Sequence, residues 1–153
     1  MKSNVKIVAL GSTASSDDAL ALEALKRLKS LKLPEEVKLV EADRNPSKLI
    51  SEVESCDKLI VIDAVRIGSK PGTLHRIGLE SIKPSRSITL HNIDTATLLK
   101  LALTLASEKP RKVVIIGLEP YRVDPGEKLT PEVEEGIEKL VEEVLKEVSM
   151  RNT

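Results

Sequence analysis

Four short segments rich in valine, isoleucine and leucine punctuate the chain: Val5–Leu10, Val37–Glu41, Leu59–Val65 and Val113–Leu118. Such brief apolar runs are what strands buried on both faces require, and they predict a parallel sheet. Between them the spacing becomes helical. Ala21, Ala24, Leu25, Leu28 and Leu31 share one face of a first helix, with Asp17 or Ser16 placed to cap its start and Pro34 lying beyond its end. Pro46–Glu54 predicts a second helix, opened by Asn45-Pro46 with proline at a favoured first-turn position. Asp94–Leu105 predicts a third, with Leu98, Leu101 and Leu105 at helical spacing. The fourth has the clearest start, because Thr130-Pro131-Glu132 joins a capping residue, a proline and a first-turn acid. Its Val133, Ile137, Leu140, Val141, Val144, Leu145 and Val148 form a continuous apolar stripe that reads as core.

Lys70-Pro71-Gly72-Thr73 predicts a turn feeding a short additional strand through His75 to Ile77, ended by Gly78. Strand and helix therefore alternate. That order implies an α/β fold, a three-layer α/β/α sandwich with a mostly parallel central sheet, in which ligands collect at the carboxyl ends of the strands. A chain of 153 residues without repeats, low-complexity tracts or flexible linkers suits one domain over residues 1–153.

Composition narrows the partners. Lys plus Arg and Asp plus Glu each number 24, so no whole-molecule field favours nucleic acid or an anionic membrane. The longest apolar runs fall far short of the roughly 20 residues of a spanning helix, and the first residues lack a signal-peptide apolar core. A lone cysteine, Cys56, excludes an intrachain disulfide framework and fits a reducing, cytoplasmic setting. No histidine flanks it in a catalytic pattern, so it reads as a small residue at a helix end. The chain has no Gln, Phe or Trp and abundant Lys and Glu, a tendency of thermophile proteins.

Candidate chemistry gathers at strand ends. Asp17-Asp18 sits where the first strand gives way to the first helix, Asp63 ends the run Leu59-Ile-Val-Ile-Asp63, and His91 follows Ile88-Thr-Leu. Asp18, Asp63 and His91 together offer two carboxylates and an imidazole, a donor set that suits a divalent ion such as zinc or nickel and leaves positions open for water or a substrate atom. Each residue taken singly also has an ordinary reading. The acidic pair suits the positive end of a helix, Asp63 a strand-end turn, and His91 a loop. His75 reads as a partly exposed strand residue without a special role. The segment Gly11-Ser-Thr-Ala-Ser-Ser has the look of a phosphate-cradling loop but lacks G-x-G-x-x-G and the P-loop lysine, and no nucleophile-elbow, zincin or kinase motif is present.

These residues and their order resemble the hydrogenase maturation endopeptidases, which trim the C-terminal extension of the large subunit of nickel–iron hydrogenases. The likeness runs nearly end to end: Leu10-Gly11 and Asp17-Asp18, Val61-Ile-Asp63-Ala-Val, Pro71-Gly-Thr-Leu74, Thr89-Leu-His91-Asn92, Ile116-Gly-Leu-Glu-Pro120 and Leu129-Thr-Pro-Glu-Val-Glu134. The Thr-x-His-Asn and Gly-x-Glu-Pro forms are most similar to the branch serving hydrogenase 3. The resemblance implies a hydrolase in which Asp18, Asp63 and His91 contact nickel already inserted in the large-subunit precursor, with recognition and catalysis not separated among the three. Nickel then arrives with the substrate, and no permanently bound cofactor is expected. Asp17 would support the loop. The chain departs from the family's Gly-x-Gly-Asn, since Gly11 is followed by Ser12-Thr13-Ala14, and Ala19 and Ala21 stand where the family has glycines, which alters the loop's backbone freedom. Those departures motivate an alternative, a non-proteolytic nickel-binding or chaperone-like protein of hydrogenase maturation. A small-molecule hydrolase or phosphorylase on a similar scaffold is a second rival.

Overall fold

The computed structural model describes residues 4–10, 18–42, 46–65, 67–78, 95–119 and 131–150. Strands β1 (Val5–Leu10), β2 (Val37–Ala42), β3 (Lys58–Ala64), β4 (Leu74–Gly78) and β5 (Lys112–Leu118) form one sheet. Helices α1 (Asp18–Lys29), α2 (Pro46–Glu54), α3 (Thr95–Leu105) and α4 (Pro131–Ser149) cover it. The strand order is β2-β1-β3-β5-β4, with every pairing parallel except β4 on β5.

Side-chain alternation along the central strands builds two cores. On one face Ile7, Ala9, Ile60, Ile62, Val114 and Ile116 pack against α1 and α4. On the other, Val8, Leu10, Leu59, Val61, Val113 and Ile115 pack against α2 and α3. Both faces of β1, β3 and β5 are thus dry, which is why these segments read as unbroken apolar runs, and the result is the expected three-layer α/β/α arrangement. β2, at one edge, is only half-buried: Val37 and Leu39 pack on the α1–α4 side and Val40 and Ala42 on the α2–α3 side, while Lys38 and Glu41 are exposed.

Two helix faces differ from the pattern reading. Leu101 and Leu105 of α3 are 42% and 59% exposed, whereas Leu98, Leu99, Ala102, Leu103 and Ala106 are buried. A helix with leucines on almost every side offers several apolar stripes, and the sheet selects the one that also contains the alanines. Leu31 is 44% exposed because α1 ends at Lys29, before it. The α4 stripe is buried as expected at Val133, Ile137, Leu140, Val141 and Val144, with Leu145 and Val148 half-buried beside it, and one glutamate, Glu147, is buried among them.

Glu147 answers an electrostatic problem set by strand register. The β3–β5 pairing places Lys58 directly opposite Lys112, a like-charge neighbour pair that repels. The Glu147 carboxylate lies 3.1 Å from Lys58 Nζ and 3.0 Å from Lys112 Nζ, and accepts hydrogen bonds of 2.9 and 2.7 Å from Arg76 Nε and Nη2. Burial pushes this carboxyl up, but the bonds from Arg76, Lys112 and Lys58 outweigh it and hold its pKa at about 2, against an ordinary 4.5. Among the described residues no helix is long and apolar enough to cross a membrane.

Candidate active site

The strand order contains a topological switch point. From β1 the chain passes to β2 on one side and then to β3 on the other, so the connections leaving β1 and β3 depart in opposite directions and open a crevice at their carboxyl ends. Asp63 is the last residue but one of β3, and Asp18 is the first residue of α1, the helix that follows β1. The two acids singled out in the sequence therefore flank the crevice that this topology creates. Asp63 is 2% exposed, and alternation places it on the same face as Val61, the face covered by α2 and α3. α3 runs back along the sheet, since its C-terminal residues Leu103 and Thr104 line one cavity with Lys112 and Val113 at the start of β5. Its amino-terminal end therefore lies toward the carboxyl ends of the strands. His91 precedes Thr95, the first residue of α3, by four positions. His91, Asp17 and the Gly11–Ser16 loop lie outside the described residues, as does the Asp18 side chain. Among the described residues no three His, Cys, Asp or Glu side chains gather as a metal site.

Around Asp63 the backbone is closely fitted. Gly117 of β5 pairs with Asp63, and a Cβ on Gly117 would lie 2.1 Å from the Asp63 carbonyl oxygen and 2.6 Å from Val65 Cγ2. Only glycine allows the two strands to approach this way, which gives the glycine of Ile116-Gly-Leu-Glu a physical reason.

Two residues beyond Gly117, Glu119 organises the connection that leaves β3. Its buried carboxylate accepts N–H bonds from Ile67 at 2.7 Å and Ser69 at 3.1 Å, while His75 Nε2 lies 3.3 Å from the same oxygen. Its backbone adds two further ties, donating to Thr73 O at 2.9 Å and accepting from Gly72 N–H at 2.8 Å. Burial alone would raise this carboxyl, yet the bonds from Ile67, Ser69 and His75 hold it below the usual carboxylate range. Lys70-Pro71-Gly72-Thr73 closes with Thr73 N–H on Lys70 O at 3.0 Å and Gly72 at φ 86°, the geometry of a type II turn. The turn expected from Pro71-Gly72 is present. His75 is half-buried, but the sequence reading missed its role: only 10% of its side chain is exposed, and its ring faces Glu119. Glu119 was legible as a motif residue at a strand end, though not as a clamp.

Cys56, two residues past the end of α2, is a buried thiol whose pKa desolvation pushes up to about 11, unsuited to nucleophilic work.

A family model described as hydrogenase maturation protease (HycI) matches residues 22–147. The chain belongs to the hydrogenase maturation protease family. It is accordingly a hydrolase. It is 27% identical over 146 residues to the hydrogenase 2 maturation protease of Escherichia coli K12, a match covering 92% of this chain and 88% of that one. The fold is shared with the E. coli hydrogenase maturating endopeptidase HybD, with a TM-score of 0.78 at 23% identity over 95% of this chain and 91% of that one. It is also shared with a [NiFe] hydrogenase maturation protease HycI from Thermococcus kodakarensis, with a TM-score of 0.72 at 18% identity over 94% and 91%. In this maturation protease Asp63 and the start of α1 border the switch point, and the neighbouring β5 forms a wall beside Asp63 through Gly117.

Proposed function

We propose that this protein is the endopeptidase that removes the C-terminal extension from a nickel-loaded [NiFe]-hydrogenase large-subunit precursor, in the branch that serves hydrogenase 3. The observation that carries the reading is that Asp63, near the end of β3, and Asp18, at the start of the helix that follows β1, stand on either side of the sheet's switch point in a chain of this family. The Thr89-Leu-His91-Asn92 and Gly117-Leu-Glu-Pro120 forms support the branch. In this reading Asp18, Asp63 and His91 contact the nickel that the precursor brings. Two carboxylates neutralise the ion, one imidazole adds a donor of intermediate hardness, and the precursor's own ligands complete the coordination. Three contacts suffice for a transient encounter, because the ion is cargo of the substrate and leaves with it.

The proposal separates recognition from folding. His91→Ala removes one contact to the ion. Processing of the nickel-loaded precursor is then abolished while the urea unfolding midpoint stays near that of the parent. Normal processing by the variant would remove His91 from the site, and loss of folding would assign it a structural role instead.

A further inference from the structure

At the end of the sheet opposite the switch point, a cavity of about 600 Å³ opens between the last turns of α3, the start of β5 and the end of β4. Five cationic side chains line it, Arg76, Lys100, Lys109, Arg111 and Lys112, and among the described residues no acidic side chain does. In a molecule whose formal charges sum to zero, such a concentration of one sign is a local feature with a local cause.

Two of the five are fixed in place. Arg76 and Lys112 both hold the Glu147 carboxylate, which also neutralises buried Lys58. One carboxylate thus serves three cations and leaves an excess of positive charge directed at the cavity, with the Arg76 and Lys112 stems already ordered. Preordered cations lose little conformational freedom when an anion arrives. Lys109 and Arg111 stand at the rim, exposed, and form no ion pair among the described residues. Their backbone position is secured independently, since Arg111 N–H donates to Asp57 O at 2.7 Å. Like charges gathered in a concave, partly desolvated space repel, and an anion entering it relieves that repulsion.

We propose that this cavity binds a phosphate-class anion, a compact group carrying two or more negative charges, as the free ion or as a phosphate ester. Arginine and lysine converging from several directions suit a tetrahedral dianion better than an extended acidic peptide, whose carboxylates are spread along a strand. Leu103 and Val113 in the lining provide an apolar patch for the organic part of an ester. The site is separate from peptide processing. Lys112 and Gly117 are five residues apart on one strand, on the order of 16 Å.

The test uses ¹⁵N-labelled full-length protein at constant ionic strength, titrated with inorganic phosphate, with pyrophosphate, with adenosine monophosphate and with an acidic hexapeptide. Saturable amide shifts confined to Arg76–Gly78, Leu103–Thr104 and Arg111–Val114 are expected with the phosphate compounds. Saturation by the ester at lower concentration than free phosphate identifies the ester as the source, and the reverse order identifies the free ion. The double variant Lys109→Ala/Arg111→Ala weakens binding by about tenfold or more, since each loses a charge-assisted bond. The single variant Arg111→Lys keeps the charge and the binding, which separates loss of charge from any disturbance of fold. Shifts that do not saturate or that spread over lysines elsewhere, unchanged affinity in the double variant, or tighter binding of the peptide than of the phosphates would each overturn the assignment.

Discussion

Gly117→Ala tests how tightly the β5 wall positions Asp63. The added Cβ would meet the Asp63 carbonyl oxygen at 2.1 Å and Val65 Cγ2 at 2.6 Å. Carbon and carbonyl oxygen settle at roughly 3.3 Å in close β contacts, so β3 must retreat by on the order of 1 Å at Asp63. Both strands are central in the sheet and packed on each face, which leaves little room for that movement. Overpacking of this kind costs about 1–3 kcal/mol, a noticeable share of a domain stability of about 5–15 kcal/mol. A displacement of about 1 Å at a reacting centre can lower the rate about 100-fold. The expected outcome is therefore a folded variant with a lowered urea midpoint and processing reduced by about two orders of magnitude. With no tryptophan and one tyrosine, unfolding is best followed by far-ultraviolet circular dichroism. Gly68→Ala is the control, because Gly68 has φ +84° and nothing within 4 Å of an added Cβ, so its cost is backbone strain of about 1 kcal/mol without crowding. A Gly117→Ala variant with parental stability and processing within twofold would refute the claim that this contact fixes Asp63.

Four further outcomes follow from the buried carboxylates. Glu147→Gln leaves Lys58, 1% exposed, without a countercharge and is expected to destabilise the protein by about 3–5 kcal/mol, measured from urea midpoints at neutral pH. Because the folded pKa of Glu147 is depressed from 4.5 to about 2, its contribution, on the order of 3 kcal/mol, is complete above pH 4.5 and fades as pH falls toward 2. The variant's stability should lack this component of the acid dependence; an identical pH profile would contradict the network. Glu119→Ala removes the acceptor for the Ile67 and Ser69 amides, so their hydrogen exchange should accelerate by about tenfold or more while β1 amides stay protected. Since the Glu119 carboxyl is held below its ordinary range, the parental clamp persists at neutral and mildly acidic pH and loosens only as pH falls through that depressed value; loosening near neutrality would argue against the clamp.

Much of the fold was legible because burial on both faces writes itself into sequence directly. Val5–Leu10 is bounded correctly by its apolar run alone, and β3 and β5 each begin one residue earlier than theirs, at Lys58 and Lys112. Those two lysines look like strand flanks in sequence, and only register makes them neighbours. For the same reason Glu147 was invisible, being one more glutamate in a helix full of them until two strands and Arg76 converge on it. The α3 face could not be chosen from spacing, since Leu98, Leu99, Leu101, Leu103 and Leu105 support several stripes and only packing on the sheet rejects Leu101 and Leu105. On the site side, Asp63 stood out as an acid closing an apolar run. Its relation to Asp18 depended on the strand order, which places the β1 and β3 connections on either side of one crevice. Glu119 and His75 form a pair separated by 44 residues, a contact that no local pattern encodes.

The central claim is that nickel carried by the precursor is what this peptidase inspects before cutting. Purified protein incubated with matched nickel-loaded and nickel-free large-subunit precursors, followed by intact mass, tests it most directly. Loss of the C-terminal extension from the loaded form alone is the predicted result, and equal cleavage of both forms, or of neither while a related peptidase cuts the loaded one, would contradict it.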